Sequence, residues 1–572
     1  MIPHINVPFD HVAALLGAPT DELKLISLFL LSYPLAGVLK RLPDDRPWTK
    51  NVFILLIAAF YLVGLFDLWS GLALIIFDAT AAYCIAKYIS GPYMPWIGFA
   101  FLMGHMSLSH ISRQVANTPS SVDITGAQMV MVMKLSAFCW NVFDGRQRLE
   151  DLNEEQKQRR IVDLPAPLDY AAFVAFFPSL MIGPAFDYVD YHRWLTTSMF
   201  DLPPGTDPSR APPTFPRRRI PRSARPALWK LATGLIWVLA FLKCSAYFNP
   251  TVLLGPRAAT MRLPTRIFHL HMLSLVTRFK YYGAWSLTDG ACTLVGIGYR
   301  GLDPVTGRPN WDRLLNVRPA GVELAQNSHA YLGNWNVNTN HWLRNYVYLR
   351  VTPRGKKPGF RASLATFVTS AFWHGFYPGY YLTFVLASFI QNVAKNSRRL
   401  LRPFFLHPTT GQPLPRKRYY DLATWLITQL TFSFCTAPFI LLSIHDSLAV
   451  WGRVYFYCPV GVALCSLFLA SPGKHWLAKK AKAHMQQPGK AEGAKVGGLG
   501  RADSMDSLAH QAGGTLGVPS EPGREFDELV EEIVEEVRAR RGSKGVGVEG
   551  VELRRRVEGM LRERGGPVKK EL

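Results

Sequence analysis

The run Ser370-Ala371-Phe372-Trp373-His374-Gly375-Phe376-Tyr377-Pro378-Gly379-Tyr380-Tyr381 sits inside a longer stretch, Ala362 to Ala394, that carries no charged side chain. As one straight helix those 33 residues would extend roughly 50 Å, too long for a bilayer core of about 30 Å. Gly375, Pro378 and Gly379 predict a break just after His374. A full charge at membrane depth costs roughly 2.5–3.5 kcal/mol on insertion scales, so an ionisable group there is a functional-site hypothesis by default. His374 is that group.

Outward from it, apolar runs recur. Spans are expected near 23–39, 51–66, 70–89, 93–111 and 124–143, then 227–248, an apolar run from Trp285 to about Tyr299, two halves of 362–394, 421–443 and 453–470. The first follows a polar N-terminus without a small-residue cleavage site and reads as a retained span. Asp67-Leu68-Trp69 leaves room only for a tight hairpin. Asp78, Lys87, His105 and His110 fall within spans and read first as satisfied polar groups, second as lining. Asp123 is placed to cap the fifth span, and Lys134 within it should reach an interface or a polar cavity. Pro178, Gly183 and Pro184 in the apolar stretch 170–191 predict a broken or re-entrant segment packed on protein.

The net charge of +23, from 64 basic against 41 acidic residues, could suggest nucleic acid. Here the excess lies in loops 203–226, 301–360 and 396–418 and in the tail, which the positive-inside rule explains more simply. No nucleic-acid partner is expected. Placing all those loops in the cytosol fixes the parity of crossings. The chain reads as an all-α polytopic membrane protein with about eleven transmembrane helices, re-entrant or broken segments, a lumenal N-terminus and a partly disordered cytosolic C-terminal tail. Residues 1–472 form the membrane domain and 473–572 the tail. Cys84, Cys139, Cys244, Cys292, Cys435, Cys458 and Cys465 lie in or beside apolar runs and read as buried small hydrophobes.

In the tail, 485–525 is rich in Gly, Ser, Pro and Gln. Phe526, Leu529, Ile533 and Val537, then Leu553, Val557, Met560 and Leu561, mark two short amphipathic helices. The end, Lys569-Lys570-Glu571-Leu572, resembles a dilysine retrieval signal, which implies recognition by a retrieval coat and residence in the endoplasmic reticulum membrane.

Upstream of the histidine lies Asn334-Trp335-Asn336-Val337-Asn338-Thr339-Asn340-His341-Trp342-Leu343-Arg344-Asn345-Tyr346-Val347-Tyr348, crowded with amides, aromatics and basic groups. A neutral imidazole in a dry site can take a proton from a hydroxyl, worth roughly 10²–10⁴ in rate. An amide can hold a developing oxyanion. Basic loops suit a phosphorylated ligand, and a charge-free aromatic tunnel suits acyl chains. Together these fit acyl transfer between lipid-like substrates. No second ligand stands at metal spacing from His374, so no metal is expected, and no Gly-x-Ser-x-Gly elbow is present. A structural histidine bonded to a backbone carbonyl remains an alternative. So does a transporter, whose sites also use broken segments.

Trp335-Asn336-x-x-Thr339-x-x-Trp342-Leu343-Arg344-x-Tyr346-Val347-Tyr348, followed by Trp373-His374-Gly375, resembles the membrane-bound O-acyltransferase family. The likeness is greatest to its lysophospholipid acyltransferase branch, the broad-specificity fungal enzymes above all. Asp123-Ile124-Thr125-Gly126-Ala127-Gln128-Met129, Pro178-Ser179 with Gly183-Pro184, Arg278-Phe279-Lys280-Tyr281-Tyr282 and Gly296-Ile297-Gly298-Tyr299 extend the resemblance over about residues 20–470. The Phe-Tyr-x-Asp-Trp-Trp-Asn element of the sterol and diacylglycerol branch is absent. The resemblance implies His374 as general base on the glycerol hydroxyl of a lysophospholipid and Asn336 as the group that positions the acyl-CoA thioester carbonyl. It puts forward Trp335, Asn338, Asn340, Arg344, Tyr348, Trp373 and Lys280 as substrate contacts. For Asn338 and Asn340 local backbone bonding competes with that role, and Trp373 reads as pocket wall. Acyl-CoA would be co-substrate, with no cofactor. A protein or another lipid as acceptor stays open.

Overall fold

The computed structural model describes residues 6–16, 19–117, 122–202, 204–207, 210–216, 218–303, 306–352, 359–408 and 410–486. The tail readings from 487 onward, Lys569 and Lys570 included, lie outside the described residues. Long helices dominate. The first, α1 (Thr20–Arg41), starts on Asp21 and Glu22 and ends on Lys40 and Arg41, matching the helix dipole at both ends. α2 (Pro47–Leu65) begins on a proline and closes in a π-helical turn, Phe60–Leu65. Asp67, at φ 59°, makes the expected tight hairpin into α3 (Trp69–Tyr88). Then follow α4 (Met94–Val115), α5 (Thr125–Gly145), α6 (Ala224–Ser245) and α7 (Leu263–Val295). The first backbone N–H of α5 is taken by the Asp123 carboxylate at 2.9 Å.

Among the described residues, five helical stretches are long and apolar enough to cross a membrane: Thr20–Arg41, Pro47–Leu65, Trp69–Tyr88, Ala224–Leu254 and Lys417–Leu441. A bent pair, Ile444–Arg453 and Tyr457–Ala470 at 78°, makes a sixth if it forms one span. Leu56, Ile76, Phe77, Trp229, Ile236, Leu239, Leu464 and Leu467 stand exposed on these helices, as lipid-facing side chains should.

Three sequence readings need correction. The span expected from Trp285 is the last third of a 33-residue helix that begins at Leu263. Its charged first part is tolerated because its charges have partners. Arg278, 5% exposed, pairs with Glu323 at 2.6 and 2.7 Å, and Tyr282 donates to the same carboxylate at 2.6 Å. Trp425 and Gln429 hold the Glu323 carbonyl from another helix. Removing one member of a buried pair strands the other, at about 3–5 kcal/mol. Glu323→Ala should therefore lower the thermal midpoint in detergent more than any surface carboxylate-to-alanine change; a shift below 2 °C would contradict this. The second correction concerns Lys87, which stands exposed in the last turn of α3 over the Tyr88 ring. The third concerns the cysteines: Cys139, Cys292, Cys435 and Cys458 are buried as expected, but Cys244 is half-buried and Cys84 and Cys465 are exposed.

Asp78, His105, His110 and Lys134 do have partners inside the bundle. Asp78 of α3 accepts from His105 of α4 at 2.5 Å and from Gln128 of α5 at 3.0 Å, tying three helices together. Lys134 lies fully buried and donates to the Phe173 and Val174 carbonyls, the C-terminal end of the short helix Pro167–Val174. There a cation meets carbonyls that the helix itself cannot use. Just beyond, 176–187 is broken as expected. Only Phe177–Ser179 forms a 3₁₀ turn, and Phe176, Phe177, Leu180 and Met181 are buried in protein.

Candidate active site

The amide-rich segment folds as a short helix, α8 (Val337–Leu343), entered through Asn336 in the left-handed region at φ 45°, ψ 53°. Asparagine tolerates that conformation better than any residue but glycine. Chain on either side is fastened down. Trp335 packs its ring on Tyr281 and Trp285 of α7, centroids 5.6 and 5.0 Å away. Trp342 donates to Ser136 Oγ at 2.9 Å, and Arg350 holds Asp144 through two bonds of 2.9 and 2.5 Å, so α5 is the backing plate. The Tyr346 hydroxyl lies 3.0 Å from both Asn141 and Asp187.

Four side-chain amides lie close together here, and three are spent on backbone. Asn334 donates to the Ala330 carbonyl at 2.8 Å, Asn338 to Leu314 at 3.2 Å and Asn340 to Leu332 at 3.0 Å. Among the described residues the Asn336 amide has no hydrogen-bond partner, although its carbonyl accepts from Asn340 N–H.

His374 ends α9 (Phe360–His374), and α10 (Pro378–Leu401) restarts on Pro378 three residues after Gly375 turns the chain at φ 118°. That is the predicted break. The imidazole packs among Trp373, Tyr380, Phe384 and Phe439, centroids 4.6, 5.6, 5.2 and 4.9 Å away. Phe439 comes from α11 (Lys417–Leu441). Neither ring nitrogen of His374 has a hydrogen-bond partner among the described residues. Trp373 is fixed instead: its indole N–H donates to the Met129 carbonyl at 3.0 Å, and its own carbonyl accepts from His110 Nε2 at 3.1 Å. Trp342 of α8 reaches the Trp373 ring at 6.1 Å, so the two halves of the candidate site meet through indoles.

The remaining candidates fall elsewhere. Arg344 pairs with Glu155 at 3.0 Å, and Tyr348 is buried in the core. Lys280 stands 53% exposed beside Glu22 at 3.4 Å, with the Phe241 ring nearby. Asn338 and Arg344 border a cavity of about 350 Å³ behind α8. Arg159, Arg300, Arg313 and Arg318 line it with Lys134, against Glu155, Asp187, Asp190 and Asp312. Its chain segments are so far apart in sequence that only the loop arginines were legible. Among the described residues no three His, Cys, Asp or Glu side chains converge as a metal site.

His341 was given no role by its sequence context, yet it lines this cavity with Nε2 sealed and unpartnered. Burial first, and the nearby Arg159 guanidinium second, push its pKa from 6.5 down to about 4. The folded protein therefore keeps it neutral, while the unfolded chain binds an extra proton between those two values. Stability should fall as pH drops from about 6.5 towards 4. His341→Gln removes the titrating group, so its thermal midpoint should fall less than the parent's over that window; parallel curves would contradict the assignment.

A profile of the membrane-bound O-acyltransferase family matches residues 115–436. A lysophospholipid acyltransferase of Schizosaccharomyces pombe is 43% identical over 481 residues, 84% of this chain and 92% of that protein. A lysophospholipid acyltransferase of Saccharomyces cerevisiae is 41% identical over 464 residues, 80% and 75% of the two chains. Membrane-bound glycerophospholipid O-acyltransferase 2 of Homo sapiens is 28% identical over 380 residues, 66% and 70%. With the family profile covering residues 115–436 and the Schizosaccharomyces pombe relative matched over 84% of this chain, the chain belongs to the membrane-bound O-acyltransferase family.

Proposed function

We propose that this protein is a lysophospholipid acyltransferase, transferring an acyl group from acyl-CoA to the free glycerol hydroxyl of a lysophospholipid. Its relatives' names and the family membership support the reading, and they leave a transporter without support. One observation carries the site assignment: the Asn336 amide and the His374 imidazole are left unspent in a region where neighbouring polar groups are used. Leaving a half-buried polar group unpaired costs free energy unless a ligand or water takes it up.

In the proposed reaction His374 takes the proton from the glycerol hydroxyl as that oxygen bonds to the thioester carbon. The carbonyl oxygen, gaining charge, is met by the Asn336 amide N–H. The C–S bond then breaks, and the CoA sulfur takes the proton from the imidazolium. No acyl-enzyme forms, and acyl-CoA is a co-substrate, so the scheme needs no cofactor. In the cavity behind Asn338 the donor's phosphates would meet Arg300 and Arg318, since Arg159, Arg313 and Arg344 are already paired with Asp187, Asp190 and Glu155. Trp335 and Trp373 act as walls.

The reading extends to topology. The long helices α4, α5 and α7 and the halves α9 and α10 are proposed to cross as well, giving about eleven spans, with basic loops and the C-terminus cytosolic. Residence in the endoplasmic reticulum, with coat recognition of Lys569 and Lys570, completes the proposal.

Purified protein in detergent, given labelled oleoyl-CoA and a panel of lysophospholipids differing in headgroup, should release CoA and form diacyl product with at least one of them. Absence of release with every lysolipid would sink the proposal.

A further inference from the structure

We infer that His110, on α4, is a positioning residue for His374. This rests on the reading of His374 as the base.

An α-helix leaves its last four carbonyls without internal partners. At the end of α9, the Gly375 N–H serves two of them, Ala371 and Phe372. The next, Trp373, is served from outside by His110 Nε2 at 3.1 Å. A carbonyl can only accept, so Nε2 carries the hydrogen. His110 is itself only 7% exposed, so the bond is shielded from competing water.

The turn is shaped to receive this ring. A Cβ added at Gly375 would lie 3.0 Å from His110 Nδ1 and 3.2 Å from its Cγ, tighter than ordinary contact. Gly375 also sits at φ 118°, where a side chain is strained. With the Trp373 indole held at the Met129 carbonyl, this residue is gripped at both ends, by α4 and α5.

His374 needs that grip. Its own ring has no hydrogen bond among the described residues to set its direction. Four aromatic neighbours limit its tilt, but the vector leaving the backbone is set at 373–375. Errors of about 1 Å in placing a reacting group can cost about 10²-fold in rate.

The test compares His110→Gln with His110→Met in purified full-length protein, using oleoyl-CoA and the best acceptor from the headgroup panel. The two side chains are alike in length and volume, but only glutamine offers an N–H to the Trp373 carbonyl. His110→Met should lower kcat roughly 10- to 100-fold with both KM values within about twofold, and His110→Gln should return to within about threefold of the parent. A merely structural role would move stability and leave Gln and Met alike. Equal kcat in the two variants, or His110→Met within about twofold of the parent, overturns the inference. If His110→Met fails to fold, His110→Asn replaces it: its shorter amide cannot reach, so kcat equal to that of His110→Gln overturns the inference. His374→Ala is run in parallel. Should it keep activity within about tenfold of the parent, the base assignment and this inference fall together. An inactive His374→Ala beside an unaffected His110→Met removes the positioning role alone.

Discussion

Replacing His374 with alanine should lower kcat by roughly 10²–10⁴-fold, the range a positioned general base supplies. The four rings that surround the imidazole belong to three helices. Phe439 also packs on Tyr380 and Phe384, and Trp373 on Trp342, so these contacts do not depend on the imidazole. Expression and monodispersity in detergent should therefore hold while turnover vanishes. The hole left behind is flat-sided and aromatic, so added imidazole should enter it and restore part of the rate. Single-turnover assays with and without imidazole decide the matter: activity within tenfold of the parent in its absence would mean that another group takes the proton.

Asn336→Ala is the second large effect, and its conformation allows two contributions to be separated. An oxyanion donor is worth about 10²–10³ in kcat. Alanine at φ 45° would also carry a backbone penalty of about 1 kcal/mol that asparagine largely avoids. Asn336→Gly removes the amide without that penalty. Both variants should therefore lose kcat equally, while only the alanine variant loses thermal stability. A glycine variant with parental kcat would show that Asn336 serves the turn and nothing more.

How far the fold and the site are legible in the sequence follows from what each feature depends on. The early spans, the hairpin at Asp67 and the break after His374 are local properties of composition, proline and glycine, and the chain states them outright. The length of α7 was not legible: Arg278 looks like a helix end until Glu323, 45 residues away, is seen to neutralise it. Residue types pointed to His374 and to the amide-rich segment upstream; the family resemblance singled out Asn336 and supplied both roles. Which of the four amides stays unspent was hidden, because the answer lies in carbonyls at 314, 330 and 332. Lys280 illustrates the converse, a basic residue inside a family-like motif that faces Glu22.

The three-helix knot of Asp78, His105 and Gln128 also bears on the order in which the protein is made. The His110–Trp373 bond joins residues 263 apart, and Trp342 meets Ser136 across 206. At synthesis rates of about 5–20 residues per second, α4 and α5 wait roughly 10–50 s before their distant partners leave the ribosome. During that interval Asp78 would be an exposed carboxylate in lipid were it not already shared within the first 128 residues. The knot lets the early helices satisfy this carboxylate among themselves, and the candidate site is complete only when α9 to α11 arrive.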